Sequence, residues 1–186
     1  GKDAESRLVE ILKNEKLTFD RPLVVIHPGS SNPAEVWLKE NYAELIRELS
    51  GSIDCNIAVI GSKEESGLAG EIISGSGKQV YNFAGRLDLK TLTAFLKKAN
   101  LFIGNDTGPM HMASVLGVPV IAIFGRNIPG VSSRRWGPLN KRSRVFYKDP
   151  GCAVCLDINC PYDYKCLRSV LPGEVLKASK ELLEKV

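Results

Sequence analysis

The sequence predicts an α/β fold, a Rossmann-like, doubly wound parallel sheet with helices on both faces. Short apolar runs alternate with amphipathic stretches along the chain, as in repeated βα units. The 186 residues are 44% hydrophobic, which is enough to bury one sizeable core. No long polar linker or internal repeat interrupts the alternation, so we expect residues 1–186 to form a single domain.

Six apolar runs are predicted strands. Most are short and rich in β-branched side chains, as expected of strands buried on both faces of a parallel sheet. The third run is interrupted by Asn82, and the fifth is the most apolar. In chain order, the predicted strands are residues 23–26, 57–60, 80–83, 101–103, 118–124 and 145–147.

Helices are predicted from apolar side chains spaced three or four residues apart. Asp88 is placed to cap the fourth helix, because aspartate accepts hydrogen bonds from the first free N–H groups of a helix. In chain order, the predicted helices are residues 3–14, 41–49, 64–73, 89–96, 110–116 and 173–183.

Composition and charge exclude several classes of protein. The net charge is +4 and 25% of the residues are charged, an ordinary balance that does not indicate a nucleic-acid partner. No apolar run approaches the roughly 18 residues that cross a bilayer. Residues 1–5 also lack the apolar stretch of a signal peptide. We therefore expect a cytoplasmic protein.

The segment from Gly104 to His111 has the composition of a phosphate-binding loop. It joins a predicted strand to a predicted helix, and ligands of open parallel sheets bind at the carboxyl ends of strands. Gly104 and Gly108 allow a ligand or a neighbouring backbone to approach closely, and Pro109 suits the first helical turn. The helix start offers free N–H groups and about half a positive charge, to which Thr107 adds a hydroxyl donor.

Two interpretations of this segment are open. In the first it binds a diphosphate, with Asp106 accepting a hydrogen bond from a sugar hydroxyl and His111 donating to an oxyanion or to the sugar. In the second it is an ordinary strand–turn–helix junction, in which Asp106 or Thr107 caps the helix and His111 is a structural histidine.

A longer stretch carries a resemblance to a known family. Residues 106–125, DTGPMHMASVLGVPVIAIFG, resemble the signature of glycosyltransferase family nine, which contains the heptosyltransferases of lipopolysaccharide inner-core synthesis. Residues 27–31 (HPGSS) with Trp37 resemble the first loop of the family's C-terminal half, and residues 88–96 resemble the helix before its signature strand. Members have two Rossmann-like halves in the GT-B arrangement, and the C-terminal half binds the ADP-heptose donor.

The resemblance runs from Pro22 to the C-terminus and corresponds to the C-terminal half of the family's usual length. Residues 3–14 then read as the helix that joins the two halves, within a connecting segment over residues 1–20. The family's general base and most of its acceptor site belong to the N-terminal half. The resemblance therefore assigns no catalytic residue to this chain, which we expect to bind donor but to transfer little.

The resemblance implies a donor-binding site at the signature loop. Leu87 would back the adenine ring, and Glu65 or its neighbour Glu64 would meet the ribose hydroxyls. The alternative for both glutamates is a solvated first helical turn, where acidic side chains are favoured, and the serines of the first loop are alternatively turn residues. The implied donor-binding residues are Ser30, Ser31, Glu65, Leu87, Asp106, Thr107, Gly108, Pro109, Met110 and His111.

One position departs from the family pattern. Many heptosyltransferases have a lysine two residues before the tryptophan, where it meets the donor phosphates, and this chain has Glu35 there. Replacing a cation by an anion beside a diphosphate removes an attraction and adds a repulsion. Either a nearby cation compensates or the donor or the activity differs. The nearby cations are Lys39, Lys63 and Arg126.

The function implied is donor binding in an inverting, metal-independent heptosyltransferase of lipopolysaccharide core biosynthesis, with a lipopolysaccharide precursor as the acceptor. Direct displacement by the acceptor hydroxyl would expel the nucleotide diphosphate, and no cofactor is expected for transfer. Two alternatives are a non-catalytic nucleotide-binding module and a GT-B relative that uses a UDP-sugar.

Two further groups of residues have structural and functional interpretations. Four cysteines spaced C-x2-C-x4-C-x5-C in the loop 150–168 indicate a structural zinc site, a disulfide-tied loop or buried thiols. The basic residues before this loop form either a solvated face or a contact with an anionic precursor or the inner face of the cytoplasmic membrane. The cysteines are Cys152, Cys155, Cys160 and Cys166, and the basic residues are Arg134, Arg135, Lys141, Arg142, Arg144 and Lys148.

Overall fold

The computed structural model describes residues 2–126, 130–152, 155 and 157–184. Within them, six parallel strands form one sheet with helices on both faces, which confirms the predicted fold class. The strands are β1 (Leu23–His27), β2 (Asn56–Val59), β3 (Tyr81–Asn82), β4 (Leu101–Asn105), β5 (Val120–Ile123) and β6 (Arg144–Phe146).

The strand order is β3-β2-β1-β4-β5-β6, so the winding of the chain changes direction between β1 and β4. These two strands pair in a register that sets His27 opposite Gly104, at their carboxyl ends. Crevices for ligands form at such a switch point, because the loops that leave neighbouring strands diverge to opposite faces of the sheet.

The predicted helices are confirmed, with shifted ends. Two four-residue helices, α6 and α7, escaped the sequence analysis because one turn is too short to show a periodic pattern. The helices are α1 (Lys2–Glu15), α2 (Lys39–Ser52), α3 (Ser66–Ser76), α4 (Leu89–Leu96), α5 (Gly108–Val115), α6 (Ser133–Trp136), α7 (Lys165–Arg168) and α8 (Pro172–Leu183), with short 3-10 helices at Pro33–Glu35 and Asp157–Asn159.

Two apolar clusters, one on each face of the sheet, hold these layers together. Alternate side chains of β1 divide between them, so that Val24 and Ile26 face the α2, α3 and α8 layer while Leu23 and Val25 face the α1, α4 and α5 layer. None of the helices in the described residues is long and apolar enough to cross a membrane.

The first helix, predicted as a connection between two halves, packs against the sheet. Leu8 and Leu12 of α1 are buried in the same cluster as α4 and α5. Arg7 also forms an ion pair of 2.7 Å with Asp88, which caps α4 by accepting the N–H of Thr91 at 2.8 Å. The predicted cap is therefore confirmed, and α1 is an integral part of this fold.

The third strand is shorter than predicted. The apolar run predicted a strand over residues 80–83, but β3 has two residues. The backbone N–H of Phe83 still donates to Val59 of β2 at 2.8 Å, and the side chain of Asn82 accepts the backbone N–H of Ala84 at 3.1 Å, where a turn begins. The interruption noted in the sequence is thus the physical end of the strand.

Candidate functional site

A cleft of about 570 Å³ opens at the switch point, above the carboxyl ends of β1 and β4. One part of its wall is apolar and includes Ile60, Leu87 and Leu92. The predicted site residues that line it are Ser30, Ser31, Glu65, Leu87, Asp106, Thr107, Gly108 and Pro109. The fold therefore brings these predicted residues, which are far apart in the chain, to one cleft.

His27, at the end of β1, connects two walls of this cleft. Its residue surface is only 4% exposed. Its Nδ1 lies 3.1 Å from Thr107 Oγ1, and its Nε2 lies 3.3 Å from Glu65 Oε2. In the sequence, His27 belongs to the first loop, and no role was predicted for it. The sequence feature that could have identified His27 is a polar residue at the end of an otherwise apolar strand.

Asn105, at the end of β4, ties the first loop to the sheet. Its buried Oδ1 accepts the backbone N–H of Trp37 at 3.1 Å and the hydroxyl of Tyr42 at 2.9 Å. Its Nδ2 donates to the backbone oxygens of Pro28 at 2.8 Å and Gly29 at 3.3 Å. Four hydrogen bonds to one amide hold the loop above the strand ends, and this residue also had no assigned role.

The ordinary capping interpretation of the signature loop is wrong for both side chains. Thr107 occupies the N-cap position of α5, but its side chain makes no capping hydrogen bond and contacts His27 instead. The carboxylate of Asp106 lies 3.2 Å from Nε2 of His111, one turn into the helix. The first N–H groups of a helix have no intrahelical partner, and the side chain of Thr107, the N-cap residue, does not accept hydrogen bonds from those of α5.

Asp106 and Glu65 differ in their acidity. Burial raises the pKa of the Asp106 carboxyl, and His111 offsets part of that effect. The hydrogen bond from His27 lowers the pKa of Glu65 to about 2, against the effect of partial burial. Glu65 is therefore an anion at any pH near neutrality.

Of the two candidate glutamates, the structure places Glu65 in the cleft. Its Oε2 accepts the N–H of Ser62 at 2.7 Å, and its side chain is 23% exposed, whereas Glu64 is exposed and does not line the cleft. Gly29 makes this position accessible, because a Cβ there would overlap the Glu65 carboxylate. The solvated-turn interpretation is thus wrong for Glu65.

Gly104 and Gly108, in the segment from Gly104 to His111, are glycines for two different structural reasons. A Cβ on Gly104 would lie 2.7 Å from the backbone oxygen of His27, so the close approach of β1 and β4 requires glycine there. A Cβ on Gly108 would meet nothing within 4 Å, because Gly108 borders the open cleft. The first is needed by the fold, and the second leaves room for a ligand.

Two predicted site residues lie outside the main cleft. Met110 is fully buried in the apolar cluster beneath α5, so its side chain cannot contact a ligand in the cleft. His111 lies on the opposite side of the loop, in a second depression of about 340 Å³ that also includes Arg135 and Trp136. The rings of His111 and Trp136 are 6.0 Å apart, edge to face.

Glu35, the departure from the family pattern, is neutralised by Arg126. The two side chains form an ion pair and are 13% and 12% exposed. The second oxygen of Glu35 accepts the hydroxyl of Ser30 at 2.7 Å. Lys39 does not compensate, because its ammonium pairs with Glu71 at 2.6 Å. Of the cations suggested by the sequence, the structure favours Arg126.

The cysteine loop contains free thiols. Cys166 is buried and donates to the backbone oxygen of Gly125 at 2.7 Å. Burial raises the pKa of this thiol, with a smaller contribution from Cys160 and Cys155. Among the described residues, no group of three or more His, Cys, Asp or Glu side chains could hold a metal ion. Cys152, Cys155, Cys160 and Cys166 form no disulfide bond, and of the four only Cys166 is buried.

The basic stretch after β5 contacts the protein at several points. Lys148 pairs with Glu174 at 2.5 Å, and the guanidinium of Arg135 lies 5.4 Å from the ring centre of Trp136. Arg142 donates to a backbone oxygen of α8 at 3.5 Å. Arg144 donates to the backbone oxygen of Ser143 at 3.1 Å, so contacts are described for four of the six basic residues.

The chain is similar to several known proteins. The chain is 30% identical over 182 residues to lipooligosaccharide heptosyltransferase 2 of Campylobacter jejuni, covering 91% of this chain and 56% of that protein. Its fold is similar to that of a family 9 glycosyltransferase from Veillonella parvula, with a TM-score of 0.85, 23% identity and coverage of 99% and 52%. The E. coli ADP-heptose lipopolysaccharide heptosyltransferase II gives a TM-score of 0.77, 23% identity and coverage of 97% and 52%.

The chain spans about half the length of the curated relatives that it matches. The likeness in structure confirms the predicted Rossmann-like fold. Residues 3–165 match the family described as glycosyltransferase family 9 (heptosyltransferase). That match covers most of the chain, which therefore belongs to glycosyltransferase family 9.

Proposed function

We propose that this chain is the donor-binding half of an inverting heptosyltransferase of lipopolysaccharide core biosynthesis, and that its cleft binds ADP-heptose or a similar nucleotide sugar. The observation that carries the proposal is one cleft at the switch point that combines an apolar wall, an ionised carboxylate and a helix start. The name of the E. coli structural relative, an ADP-heptose enzyme, supports the choice of donor.

The nucleoside would occupy the side of the cleft formed by β2, α3 and α4. Leu87 and Leu92 offer an apolar surface of the kind that packs against a purine ring. The ionised carboxylate of Glu65 can accept hydrogen bonds from both ribose hydroxyls. These two contacts together describe a nucleoside rather than a free sugar.

The diphosphate would lie against the start of α5. Gly108 leaves the helix N-terminus accessible, and the free N–H groups with the helix dipole stabilise the charge that develops on the leaving diphosphate. Thr107, Ser30 and Ser31 add hydroxyl groups to the same cleft. Because Arg126 neutralises Glu35, the diphosphate would not face an unbalanced carboxylate there.

The sugar would lie beyond the diphosphate, near Asp106 and His111. This pair borders the second depression, and its carboxylate can accept a sugar hydroxyl. We assign no general base within this chain. The base and the acceptor site are proposed to come from the part of such enzymes that this chain does not match, with the basic residues near Arg135 facing an anionic precursor at the membrane surface.

Thermal unfolding with ADP, UDP and GDP tests the nucleotide site. A ligand at one hundred times its dissociation constant adds about 2.7 kcal/mol to the free energy of unfolding. We expect ADP to raise the midpoint of unfolding and the other two nucleotides to have much smaller effects. The Gly108→Ala variant should fold normally, because its new Cβ meets nothing within 4 Å, but should lose the response to ADP.

Gly173→Ala is the matched control. Gly173 also lies in the first turn of a long helix, α8, and a Cβ there meets nothing within 4 Å. This variant should respond to ADP like the original chain. An equal response to all three nucleotides, or none to any, would contradict the proposal, and preference for UDP would indicate a different sugar donor.

A further inference from the structure

Three side chains form a hydrogen-bonded series across the cleft, from Glu65 through His27 to Thr107. The Glu65 carboxylate lies 3.3 Å from Nε2 of His27, and Nδ1 of the same ring lies 3.1 Å from the Thr107 hydroxyl. The ring is almost fully buried, and all three side chains line the cleft. The polarity of these hydrogen bonds depends on where the protons are.

The Glu65 end of the series has a fixed polarity. A carboxylate can only accept, so Nε2 of His27 carries a hydrogen and donates it to Glu65. Two states of the ring then differ only at Nδ1. In neutral His27, Nδ1 is a lone pair and accepts the hydroxyl hydrogen of Thr107, which then faces the imidazole rather than the cleft.

Protonation reverses the second hydrogen bond. When Nδ1 carries a hydrogen, it donates to Thr107 Oγ1, and the hydroxyl hydrogen of Thr107 becomes available for another acceptor. Within the protein, this hydroxyl can instead donate to the backbone oxygen of Asn105, which lies 3.5 Å from Thr107 Oγ1, a long distance for a hydrogen bond. A phosphate oxygen at the start of α5 is a stronger acceptor, because it is charged.

We propose that donor binding takes up a proton at His27, and that this proton turns the Thr107 hydroxyl into a phosphate donor. The inference rests on the proposed function, because it assumes that a diphosphate lies at the start of α5. His27 is then a positioning residue, which acts on the diphosphate through Thr107 and adds a buried positive charge beside Glu65.

Other charged groups near this series already have partners. Glu35 pairs with Arg126, and Asp106 pairs with His111 on the far side of the loop. Glu64, from the segment before α3, is exposed. His111 is the other histidine of the chain and pairs with Asp106 of the same loop, so its contribution to proton uptake is tested separately.

Isothermal titration calorimetry with ADP-heptose measures the proton directly. This ligand is suitable because both ends of its diphosphate are esterified, so that the phosphates do not titrate near neutral pH. Binding heats at pH 7 in buffers of different ionisation enthalpy give the number of protons taken up. We expect net uptake, and a dissociation constant that rises about tenfold from pH 5.5 to 8, the contribution of one hydrogen bond to a charged partner.

Variants locate the proton. In His27→Gln the amide can donate to Glu65 and accept from Thr107, as neutral histidine does, but it cannot be protonated. Its affinity should be lower and independent of pH over this range. Thr107→Val should bind more weakly and with a smaller pH dependence, whereas His111→Gln should keep the proton uptake of the original chain.

Three results separate the inference from the proposed function. Tight binding without proton uptake, or uptake that is lost in His111→Gln, would overturn the role of His27 and leave the donor site intact. Absence of binding at every pH would overturn the proposed function and this inference with it. Because the buffer experiment and His111→Gln need no change at His27, they decide the matter even if His27→Gln does not fold.

Discussion

The two histidines of the chain lie on opposite sides of the loop at residues 106–108, and they differ in almost every respect. His27 is 4% exposed and held between Glu65 and Thr107. The side chain of His111 is 39% exposed, and it pairs with Asp106 beside Trp136. We call the first group, with Asn105, the buried junction, and the second group the His111 side.

The loop at residues 106–108 borders both groups, and the two groups are built differently. The buried junction joins segments from three distant parts of the chain, so its geometry is set before any ligand arrives. The His111 side pairs two residues that are five positions apart, next to Trp136 of α6, and it borders the second depression. If the proposed function holds, the junction determines stability and nucleotide geometry, and the His111 side determines the fit of the sugar.

The largest expected effect is that of Asn105→Ala, which removes four hydrogen bonds from the buried junction. Buried groups left without a partner cost about 1–3 kcal/mol each, so we expect a loss on the order of 4 kcal/mol in the free energy of unfolding. Urea denaturation measures it. Asn82→Ala is the control, because this asparagine also ends a strand but makes one such hydrogen bond to the backbone. Equal losses of unfolding free energy in the two variants would contradict the conclusion that the buried junction contributes more to stability than a single strand-end hydrogen bond.

Much of the fold could be predicted because its causes are local in sequence. Apolar runs located the strands, and the Asp88 cap and the spacing of apolar residues located the helices. The ends of β3 and α3 could not be placed, because the backbone N–H groups of Ala84 and Glu65 there donate to the side chains of Asn82 and Ser62 and not in the regular pattern. The resemblance to a family supplied the site residues that the pattern alone left ambiguous.

The buried junction could not be predicted in the same way. His27 and Thr107 are 80 residues apart, and Asn105 and Pro28 are 77 residues apart. Their contacts exist because β1 and β4 are neighbours in the sheet, and the sequence alone does not state strand order. Conversely, the resemblance implied that Met110 binds the donor, but its side chain is fully buried in the apolar cluster beneath α5.

The next effect compares two glycines near the cleft, Gly29, which is packed against Glu65, and Gly108, which is open to the cleft. Gly29→Ala should lower the free energy of unfolding by about 2 kcal/mol, because the added methyl displaces the Glu65 carboxylate from its contacts with Ser62 and His27. Gly108→Ala should leave stability unchanged or raise it by a few tenths of a kcal/mol, since alanine favours the helix and the space is open. Urea denaturation of both variants measures the difference. A loss in Gly108→Ala as large as that in Gly29→Ala would mean that the start of α5 is packed rather than open.

The smallest effect concerns the carboxylates that pair with the two histidines, whose pKa values shift in opposite directions. The pKa of Glu65 is lowered to about 2 from 4.5, chiefly by its hydrogen bond with His27, so its contribution to stability is complete above about pH 4.5 and is lost as the pH falls towards 2. Burial raises the pKa of Asp106 above 3.8, so this carboxyl favours the folded state in acid and loses that contribution as the pH rises through its folded pKa.

Substitution of each carboxylate should therefore change the acid sensitivity of the chain with opposite sign. Between pH 5 and 3, Glu65→Gln should lose about 1 kcal/mol less stability than the original chain, a figure reduced for the partial exposure of this side chain. Asp106→Asn should lose more, because it lacks the group whose protonation favours folding. Urea midpoints measured at several pH values give both slopes. If both variants became less sensitive to acid, the carboxyl on the His111 side would be held as an anion like Glu65, and the contrast between the two histidine sites would be one of exposure and not of electrostatics.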